Sequence, residues 1–354
     1  MRLAFAPYVL RFKFAAGTSR GVMHEKFTLF LKLYDERNPE VYGLGEAAVF
    51  EGLSPEADSR RYMYKVVELL ANIAIGRATD LSEYPSLQFG LEQAIRDYSS
   101  GGRGIYFPSR FTAGESSIPI NGLVWMGRHD EMMRRLEEKV EAGFHCIKLK
   151  IGAIDWEEEL DMIRHIRRRY SPEEITIRVD ANGAFTPEDV MPRLESLAKL
   201  GVHSIEQPIK AGQPEEMAKV CRLSPVPVAL DEELIGVFST EKRGELLDTI
   251  RPAYIILKPA LVGGFSGSQE WIDLAEERGI GWWITSALES SVGLNAIAQW
   301  TATLDTRGLP QGLGTGALYT NNAPSRLILE GERLRFDTDS VRDKEFFDNL
   351  DWRE

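Results

Sequence analysis

The chain has few of the residues that build cross-links or zinc sites, and it lacks long apolar runs. Its 354 residues include five histidines and two cysteines, Cys146 and Cys221. Two cysteines cannot make a disulfide framework, and no Cys/His set has the spacing of a zinc site. No apolar run could span a bilayer, and Arg11 and Lys13 interrupt the apolar N-terminus where a signal peptide needs an unbroken run. We therefore expect a cytoplasmic protein.

Positive charge is also scarce. The 42 Lys and Arg residues face 54 Asp and Glu residues, which gives a formal net charge of -12. This balance argues against non-specific binding to nucleic acid or to an anionic membrane surface, although a small anionic substrate feels only its local site. The contents of 43% hydrophobic and 27% charged residues are typical of a water-soluble globular protein with a sizeable core. The sequence does not predict an oligomeric state.

The apolar pattern divides the chain into two parts. The stretch KFTLFLKLY (26–34) alternates apolar and more polar residues, which predicts an antiparallel strand, and the helix after it should begin near Ser54 and Pro55. From about residue 117, short strand candidates alternate with amphipathic helices, as in parallel β/α proteins. Eight such strands favour a closed barrel. We predict an α/β protein with a modified TIM barrel of the (β/α)7β type at 117–317, an α+β capping domain at 1–116, and a tail, 318–354, packed on that domain.

Charged residues occupy the interior face of several predicted strands. In HCIKLKIG (145–152), Lys148 and Lys150 share one face because side chains alternate along a strand. The later strand candidates end, in order, in Asp180, Glu206, Asp231 and Lys258. Functional residues of barrels lie at the carboxyl ends of the strands. A single inward charge is more often half of a buried ion pair, but a set on consecutive strands indicates a reactive site.

This set of charges predicts a metal-assisted proton transfer. Three carboxylates brought together would repel one another and favour protonation, and a divalent cation removes that repulsion. Oxygen ligands favour Mg²⁺, with Mn²⁺ as a substitute. A lysine beside a metal ion and a second cation is favoured in its neutral form, so it can remove a proton, while the metal stabilises the oxyanion that results.

Several motifs resemble those of a known family. They are GLGEAAVFEGLSPE (43–56), FGLEQAIRD (89–97), KLK (148–150), VDANG (179–183), EQP (206–208), LDEE (230–233), LKP (257–259) and SALESSVGL (286–294). On these motifs the chain resembles the enolase superfamily, in its muconate-cycloisomerase-like subgroup. Within that subgroup it is most similar to the o-succinylbenzoate synthase family of menaquinone biosynthesis. The resemblance covers nearly the whole chain.

The resemblance implies a reaction and a set of roles. The family dehydrates 2-succinyl-6-hydroxy-2,4-cyclohexadiene-1-carboxylate with syn geometry through an enediolate intermediate, and its superfamily pairs lysine bases with Mg²⁺. Lys150 would remove the proton and return it to the departing hydroxyl group. Lys258 would stay cationic and stabilise the intermediate, and Lys148 would hold the carboxylate and favour the neutral form of Lys150. The implied Mg²⁺ ligands are Asp180, Glu206 and Asp231.

The expected substrate is a small anionic dicarboxylate. Dipeptide epimerases of this fold typically carry Asp-x-Asp where this chain reads GLGTG (312–316), and glycine N–H groups suit an anion. Ser286 and Gly316 are the candidates for the succinyl carboxylate, although Ser286 could equally cap the next helix. Asn182 either supports the metal site or shapes the turn in DANG. Arg20 is either a solvated loop charge or a lid contact to the substrate.

Other functions remain open at this point. Two lysines on opposite faces of the substrate would also serve an epimerase or racemase of dipeptides or N-acylamino acids. A non-catalytic scaffold would be expected to have lost a lysine or a metal ligand, and none is lost. A Schiff-base aldolase would not need three carboxylates. Because Trp282 and Trp283 are adjacent, they should point in opposite directions, with one packed under the helices.

Overall fold

The computed structural model of the chain describes residues 1–18, 21–56 and 58–354. It begins with an antiparallel sheet of β1 (Arg2–Thr18), β2 (Gly21–Asp35) and β3 (Asn38–Ala47), in that order. Two helices, α1 (Ser59–Ala74) and α2 (Pro85–Ser99), follow the sheet. Alternate leucines of β2, Leu29, Leu31 and Leu33, pack in one cluster with residues of both helices. The period-two pattern of the sequence therefore gives the face that carries the helices.

Helix α2 lies unusually close to β3. A Cβ atom built at Gly45 would stand 1.9 Å from the carbonyl oxygen of Gly90, and one built at Gly43 would stand 2.0 Å from that of Ala94. Both glycines are thus required by the close approach of the helix backbone. The glycines of the GLGEA motif fix the distance between helix and sheet.

The predicted start of α1 is wrong by several residues. The helix begins at Ser59, where the side chain of Asp58 accepts hydrogen bonds from the backbone N–H groups of Arg60 and Arg61. Ser54 instead accepts a hydrogen bond from the N–H of Phe50 at 2.8 Å. A Ser-Pro pair satisfies the sequence rule for a helix start, but here it stabilises the preceding loop.

The second part of the chain alternates strands and helices. Its elements are β4 (Ile118–Pro119), β5 (Gly122–Val124), α3 (His129–Glu141), β6 (Cys146–Lys150), α4 (Trp156–Arg167), β7 (Thr176–Asp180), α5 (Val190–Lys199), β8 (Ser204–Glu206), α6 (Pro214–Leu223), β9 (Val228–Leu230), a 3₁₀ turn (Glu232–Leu234), α7 (Thr240–Ile250), β10 (Tyr254–Leu257), α8 (Pro259–Val262), α9 (Gly264–Glu277), β11 (Gly281–Ile284) and α10 (Ser291–Thr301). Strands β5 to β11 form one parallel sheet in sequence order.

The ends of this sheet are joined through a short extended segment. The N–H of Gly312 donates to the carbonyl of Ile284 at 2.8 Å, and the N–H of Asn121 donates to the carbonyl of Gln311 at 3.0 Å. Parallel bridges pair Thr285 with Gly312 and Ile120 with Gln311. The segment LPQGLGTG therefore occupies the place of an eighth strand, and the modified TIM barrel predicted from the sequence is confirmed.

The two faces of the barrel strands carry different residues. The helix-facing set includes Ile177 and Val179 of β7 and Trp282 of β11, all in the large apolar cluster. Trp283 instead packs in a small interior cluster with Ala229 and Ile256. Adjacent tryptophans thus face opposite sides, as alternation requires, and the interior face of each strand is left for the charged residues.

The C-terminal segment contains β12 (Leu327–Glu330), β13 (Arg333–Phe336) and α11 (Lys344–Asp348). Strand β13 pairs with β4, and Arg353 exchanges two backbone hydrogen bonds with Phe5 of β1. The segment thus contacts both the N-terminal sheet and the start of the barrel, and the domain bounds given above stay a prediction. Within the described ranges, the structure has no helix long and apolar enough to cross a membrane.

Candidate active site

The two lysines of β6 point into the barrel at the carboxyl ends of its strands. Lys150 pairs in register with Asp180 at the end of β7, and Asp180 pairs with Glu206 at the end of β8. Asp231 directly follows β9, and Lys258 directly follows β10. The structure therefore brings together at one end of the barrel all six charged residues that the sequence singled out.

Lysines and carboxylates form a chain of ion pairs. The Nζ atom of Lys150 lies 2.5 Å from Oδ2 of Asp180, and the Nζ atom of Lys148 lies 2.7 Å from the same oxygen. Lys148 also pairs with Glu206. On the other side of the cluster, Lys258 pairs with Asp231. Because these side chains are almost fully buried, the pairing matters more than it would at the surface.

The ion pairs lower the pKa of two carboxyl groups, whereas the pKa of the third is raised. Burial alone would raise the pKa of Asp180, but Lys148 and Lys150 hold that pKa well below its usual value. Burial also opposes ionisation of Asp231, yet Lys258 lowers its pKa. For Glu206, burial and the neighbouring charge of Asp180 raise the pKa well above its usual value. The cluster thus disfavours a third negative charge.

The lysines respond to the same partners. Burial alone would lower the pKa of Lys148, but the carboxylates of Asp180 and Glu206 raise it above the usual lysine value. Burial likewise opposes the charge on Lys258, and Asp231 raises the pKa of that lysine. Both residues are cations in this arrangement, which suits the stabilising roles that the sequence predicted for them.

The carboxylates fit a divalent cation by their chemistry. They are three oxygen-donor side chains on consecutive strand ends, and Oε1 of Glu206 is buried with no hydrogen-bond partner among the described residues. In the conformation described, no three His, Cys, Asp or Glu side chains of these residues form a ready metal group. Each carboxylate turns to a lysine instead, because three anions do not converge without a cation between them.

Asn182 takes the turn role that the sequence left open, and its role at the metal site stays a prediction. Its backbone has a φ of +45°, so it shapes the turn after β7. Its Oδ1 accepts a hydrogen bond from Lys150 at 2.8 Å, and its Nδ2 donates to Oε1 of Glu232 at 3.0 Å. The turn residue is therefore also a direct contact of the predicted base.

A cavity of about 80 Å³ opens above the cluster. Its polar wall includes Lys148, Lys150 and Lys258, and the residues that line it in the described part of the chain include no Asp or Glu. Its apolar wall comes from Phe50 and Leu53 of the N-terminal part, and from Leu123, Trp125, Trp283 and Leu288 of the barrel. Such a cavity favours an anion that also carries an apolar body.

The other predicted contacts have different positions. Ser286 lines the cavity and its Oγ lies 2.6 Å from Oγ1 of Thr315. It does not cap the next helix, since Ser290 holds the start of α10. Gly316 lies beyond the lining, where its carbonyl accepts a hydrogen bond from Asn322, while Gly314 and Thr315 line the cavity. Arg20 lies outside the described residues.

Sequence reasoning missed the apolar wall. Phe50 and Leu53 lie in the motif at 43–56, but nothing in their local pattern indicates a contact with the barrel mouth. Trp283 could have been found, because strand alternation places it on the same interior face as the charged strand ends. Thr315 lies in GLGTG, where only the glycines drew attention.

Comparisons with known proteins assign the chain to a family. The model of the family described as enolase C-terminal domain-like matches residues 131–333, more than half of the chain. The chain belongs to the enolase superfamily. The resemblance stated from the motifs KLK, VDANG and LKP is thereby confirmed.

Three findings concern relatives within the superfamily. The chain is 46% identical to o-succinylbenzoate synthase of Desulfotalea psychrophila (strain LSv54 / DSM 12343), over 94% of this chain and 98% of the relative. It superposes on the crystal structure of MenC from Desulfotalea psychrophila LSv54 with a TM-score of 0.79 and 42% identity, covering 95% of this chain and 99% of the other. By contrast, the L-Ala-D/L-Glu epimerase of Bacillus subtilis (strain 168) is 28% identical over 49% of this chain and 47% of its own length.

Proposed function

We propose that the chain is an o-succinylbenzoate synthase, a hydro-lyase of menaquinone biosynthesis. The observation that carries the proposal is the 46% identity to the Desulfotalea enzyme over nearly the whole of both chains. The cavity agrees with it, because three lysines and no carboxylate line the described wall. Such a wall suits a small anionic dicarboxylate and, among the described residues, offers no carboxylate for the ammonium group of a dipeptide.

The reaction places a proton transfer at Lys150. As the free amine, Lys150 removes the proton alpha to the ring carboxylate of the cyclohexadiene substrate. It then returns that proton to the departing hydroxyl group, so that water leaves and the ring becomes aromatic. Asn182 holds Nζ of Lys150 in place through its 2.8 Å contact. One group acting first as base and then as acid accounts for loss of proton and hydroxyl from the same face.

Two further lysines stabilise the negative charge. Lys258 lines the cavity from β10 and stays cationic beside Asp231, so it can stabilise the enediolate. Lys148, which lines the same cavity, would hold the carboxylate of the substrate. Asp180, Glu206 and Asp231 would hold Mg²⁺, or Mn²⁺ as a substitute with the same preference for oxygen ligands. When bound, the ion would supply positive charge for the oxyanion next to the reacting carbon.

A spectrophotometric assay tests the reaction. Purified protein with Mg²⁺ should remove the diene absorbance of 2-succinyl-6-hydroxy-2,4-cyclohexadiene-1-carboxylate, and EDTA should stop the loss until Mg²⁺ is restored. Absence of turnover by folded, Mg²⁺-supplied protein would contradict the proposed function. Turnover undiminished by EDTA would contradict the metal requirement alone.

Metal binding has its own test, independent of activity. Calorimetric titration of Mg²⁺ into wild type should show one site, and Asp231→Asn should weaken it at least tenfold because an anionic oxygen ligand becomes neutral. Bound at a hundredfold excess over Kd, the ion should add about 2.7 kcal/mol to the free energy of unfolding. Asp273→Asn, on the exposed side of α9, is the matched control. Equal affinity in both variants would remove Asp231 from the site.

An epimerase remains the second candidate, since Lys150 and Lys258 reach the cavity from different strands. A two-base epimerase would exchange the α-hydrogen of dipeptides or N-acylamino acids for deuterium from solvent. Exchange faster than turnover of the cyclohexadiene would favour that reaction over the dehydration. The cytoplasmic location stays a prediction.

A further inference from the structure

The lining of the cavity includes an aromatic ring to which no role has been given. Trp283 lies on the interior face of β11, is 2% exposed, and lines the same cavity as Lys150 and Lys258. Its neighbour Trp282 faces the helices and donates to Glu276 at 3.2 Å. Because the two residues share type and strand, only the direction of the side chain sets Trp283 apart.

The Trp283 ring is held in place by side chains of the barrel interior. The guanidinium carbon of Arg178 lies 4.1 Å from the centre of the Trp283 ring, and the centre of the Tyr254 ring lies 5.2 Å away at a tilt of 50°. Ala229 and Ile256 complete the interior cluster around it. A side chain packed in this way has little freedom to tilt or sink.

Burial of the positive charge of Arg178 is unfavourable at this position. It is 2% exposed, and its Nη1 donates to the carbonyl of Pro310 at 2.8 Å. Its Nε has no hydrogen-bond partner within the described ranges, and no carboxylate among those residues pairs with it. A buried cation without an anion is unfavourable, and here the carbonyl of Pro310 and the face of the Trp283 ring compensate its charge.

We infer that Trp283 is a specificity-determining residue that carries the ring of the substrate, and that Arg178 is a positioning residue acting through it. The inference rests on the proposed function. An indole among the lining residues offers a contact to a planar, unsaturated six-membered ring, whereas the flexible backbone of a dipeptide gains little from it. Phe50 and Leu53 line the same cavity from the N-terminal part. The ring of a bound substrate would therefore lie between apolar groups.

Substitution of Trp283 should weaken substrate binding more than it slows the chemical step. Trp283→Leu should raise KM for the cyclohexadiene substrate and Kd for o-succinylbenzoate, measured by calorimetry, about tenfold or more. Trp283→Phe should have a smaller effect, because a ring remains. The lysines are untouched, so kcat should fall less than KM rises. Trp282→Leu is the matched control and should leave both constants within twofold of wild type.

A double-mutant cycle tests the role of Arg178. Arg178→Met should weaken product binding in the wild-type background and change it less than twofold in the Trp283→Leu background, because there is no ring left to position. Arg178→Lys, which keeps a cation, should restore part of the loss and serves if the Met variant does not fold.

The outcomes are distinct. Wild-type values of KM and Kd in Trp283→Leu, or equal losses in the Trp282 and Trp283 variants, would overturn the role of Trp283. Turnover by the wild-type protein would still support the proposed function in that case. Independent, additive effects of Arg178 and Trp283 would overturn the positioning role. If the wild-type protein neither turns over the substrate nor binds the product, the inference falls together with the proposed function.

Discussion

At the scale of single residues, the site is a set of opposite charges joined by buried ion pairs. Lys148 and Lys150 share Asp180, and Lys258 takes Asp231. The sequence identified these residues because each falls at a strand end on the interior face. It could not give the pairing, since which lysine meets which carboxylate depends on strand register and side-chain reach.

Removal of either reactive lysine should end catalysis and spare the fold. Lys150→Ala removes the acid–base group, and Lys258→Ala removes the cation that stabilises the enediolate, so each should lower kcat about 10²- to 10⁴-fold. Steady-state turnover measures the loss, and circular dichroism checks the fold. Lys219→Ala, an exposed lysine of α6 paired with Glu216, is the control. Wild-type turnover in either lysine variant would refute its role.

Residues away from the strand ends were harder to judge. Alternation places His145 on the side of Ile147 and predicts that it packs there, but it lies exposed beside Glu332, with its Nδ1 3.2 Å from Oε1 of that carboxylate. Ser286 could have capped a helix or lined a cavity, and the position of Ser290 decides for the cavity. In both cases a distant segment, not the local sequence, supplies the partner.

At the scale of elements, the start of α10 is where the N-terminal sheet meets the barrel. Glu46 at the end of β3 accepts hydrogen bonds from the backbone N–H groups of Ser290 and Gly293, at 2.8 and 2.9 Å, and from the hydroxyl of Thr28 at 2.9 Å. A carboxylate at the N-terminus of a helix satisfies free N–H groups and complements the helix dipole. Here that carboxylate comes from a strand about 240 residues earlier in the chain.

Loss of Glu46 should therefore destabilise the whole chain. Glu46→Ala leaves several buried donors without an acceptor, so the free energy of unfolding should fall by about 3 kcal/mol or more. Urea unfolding followed by tryptophan fluorescence measures the change. Glu40→Ala, at an exposed position of the same strand, should change it by less than about 0.5 kcal/mol. Similar effects from both substitutions would contradict the role of Glu46.

The elements themselves were largely predictable. Alternation gave β2, β6 and β7 with their buried faces, because strand periodicity is a local property of the sequence. The start of α1 was misplaced, because Ser54 and Asp58 both satisfy the rule for a helix cap and only the backbone shows which one accepts from the first turn. The eighth barrel position was also predicted, at LPQGLGTG, although only isolated bridges at Gln311 and Gly312 form there instead of a regular strand.

At the scale of the whole molecule, charges are buried where the two parts of the chain meet. Lys26 of β2 is buried, and its pKa is lowered by burial despite the carboxylates of Glu46 and Glu289. Glu289 follows the cavity-lining segment 286–288 and accepts a hydrogen bond from the N–H of Ala287 at 2.8 Å. Burial raises the pKa of Glu289 to about 7, while Lys26 opposes the shift and Glu46 adds to it.

This shift predicts how stability depends on pH. Between its usual pKa of 4.5 and about 7, Glu289 binds more protons in the folded chain than in the unfolded chain. The free energy of unfolding therefore falls as pH rises through that window, and the loss is complete above pH 7. Glu289→Gln lacks the ionisation, so it should gain stability relative to wild type between pH 5 and 7, on the order of 1 to 3 kcal/mol.

Urea unfolding of both proteins at pH 5, 6, 7 and 8 measures the difference. Lys26 and Glu46 are present in both proteins, so the two proteins differ at one ionisable group only. Glu188→Gln, at an exposed position, should track wild type at every pH. A constant difference between Glu289→Gln and wild type across the series would contradict the raised pKa.

The sequence by itself determined the family, the order of strands and helices, and the charged residues at the strand ends. These follow from local alternation and from short motifs, in which the chemistry of each residue and its spacing are enough. The tertiary structure alone decided which charges pair, that Phe50 and Leu53 line the cavity, and that Glu46 holds α10. These are contacts between segments far apart in the chain, and the distance between them is set by packing and not by sequence spacing.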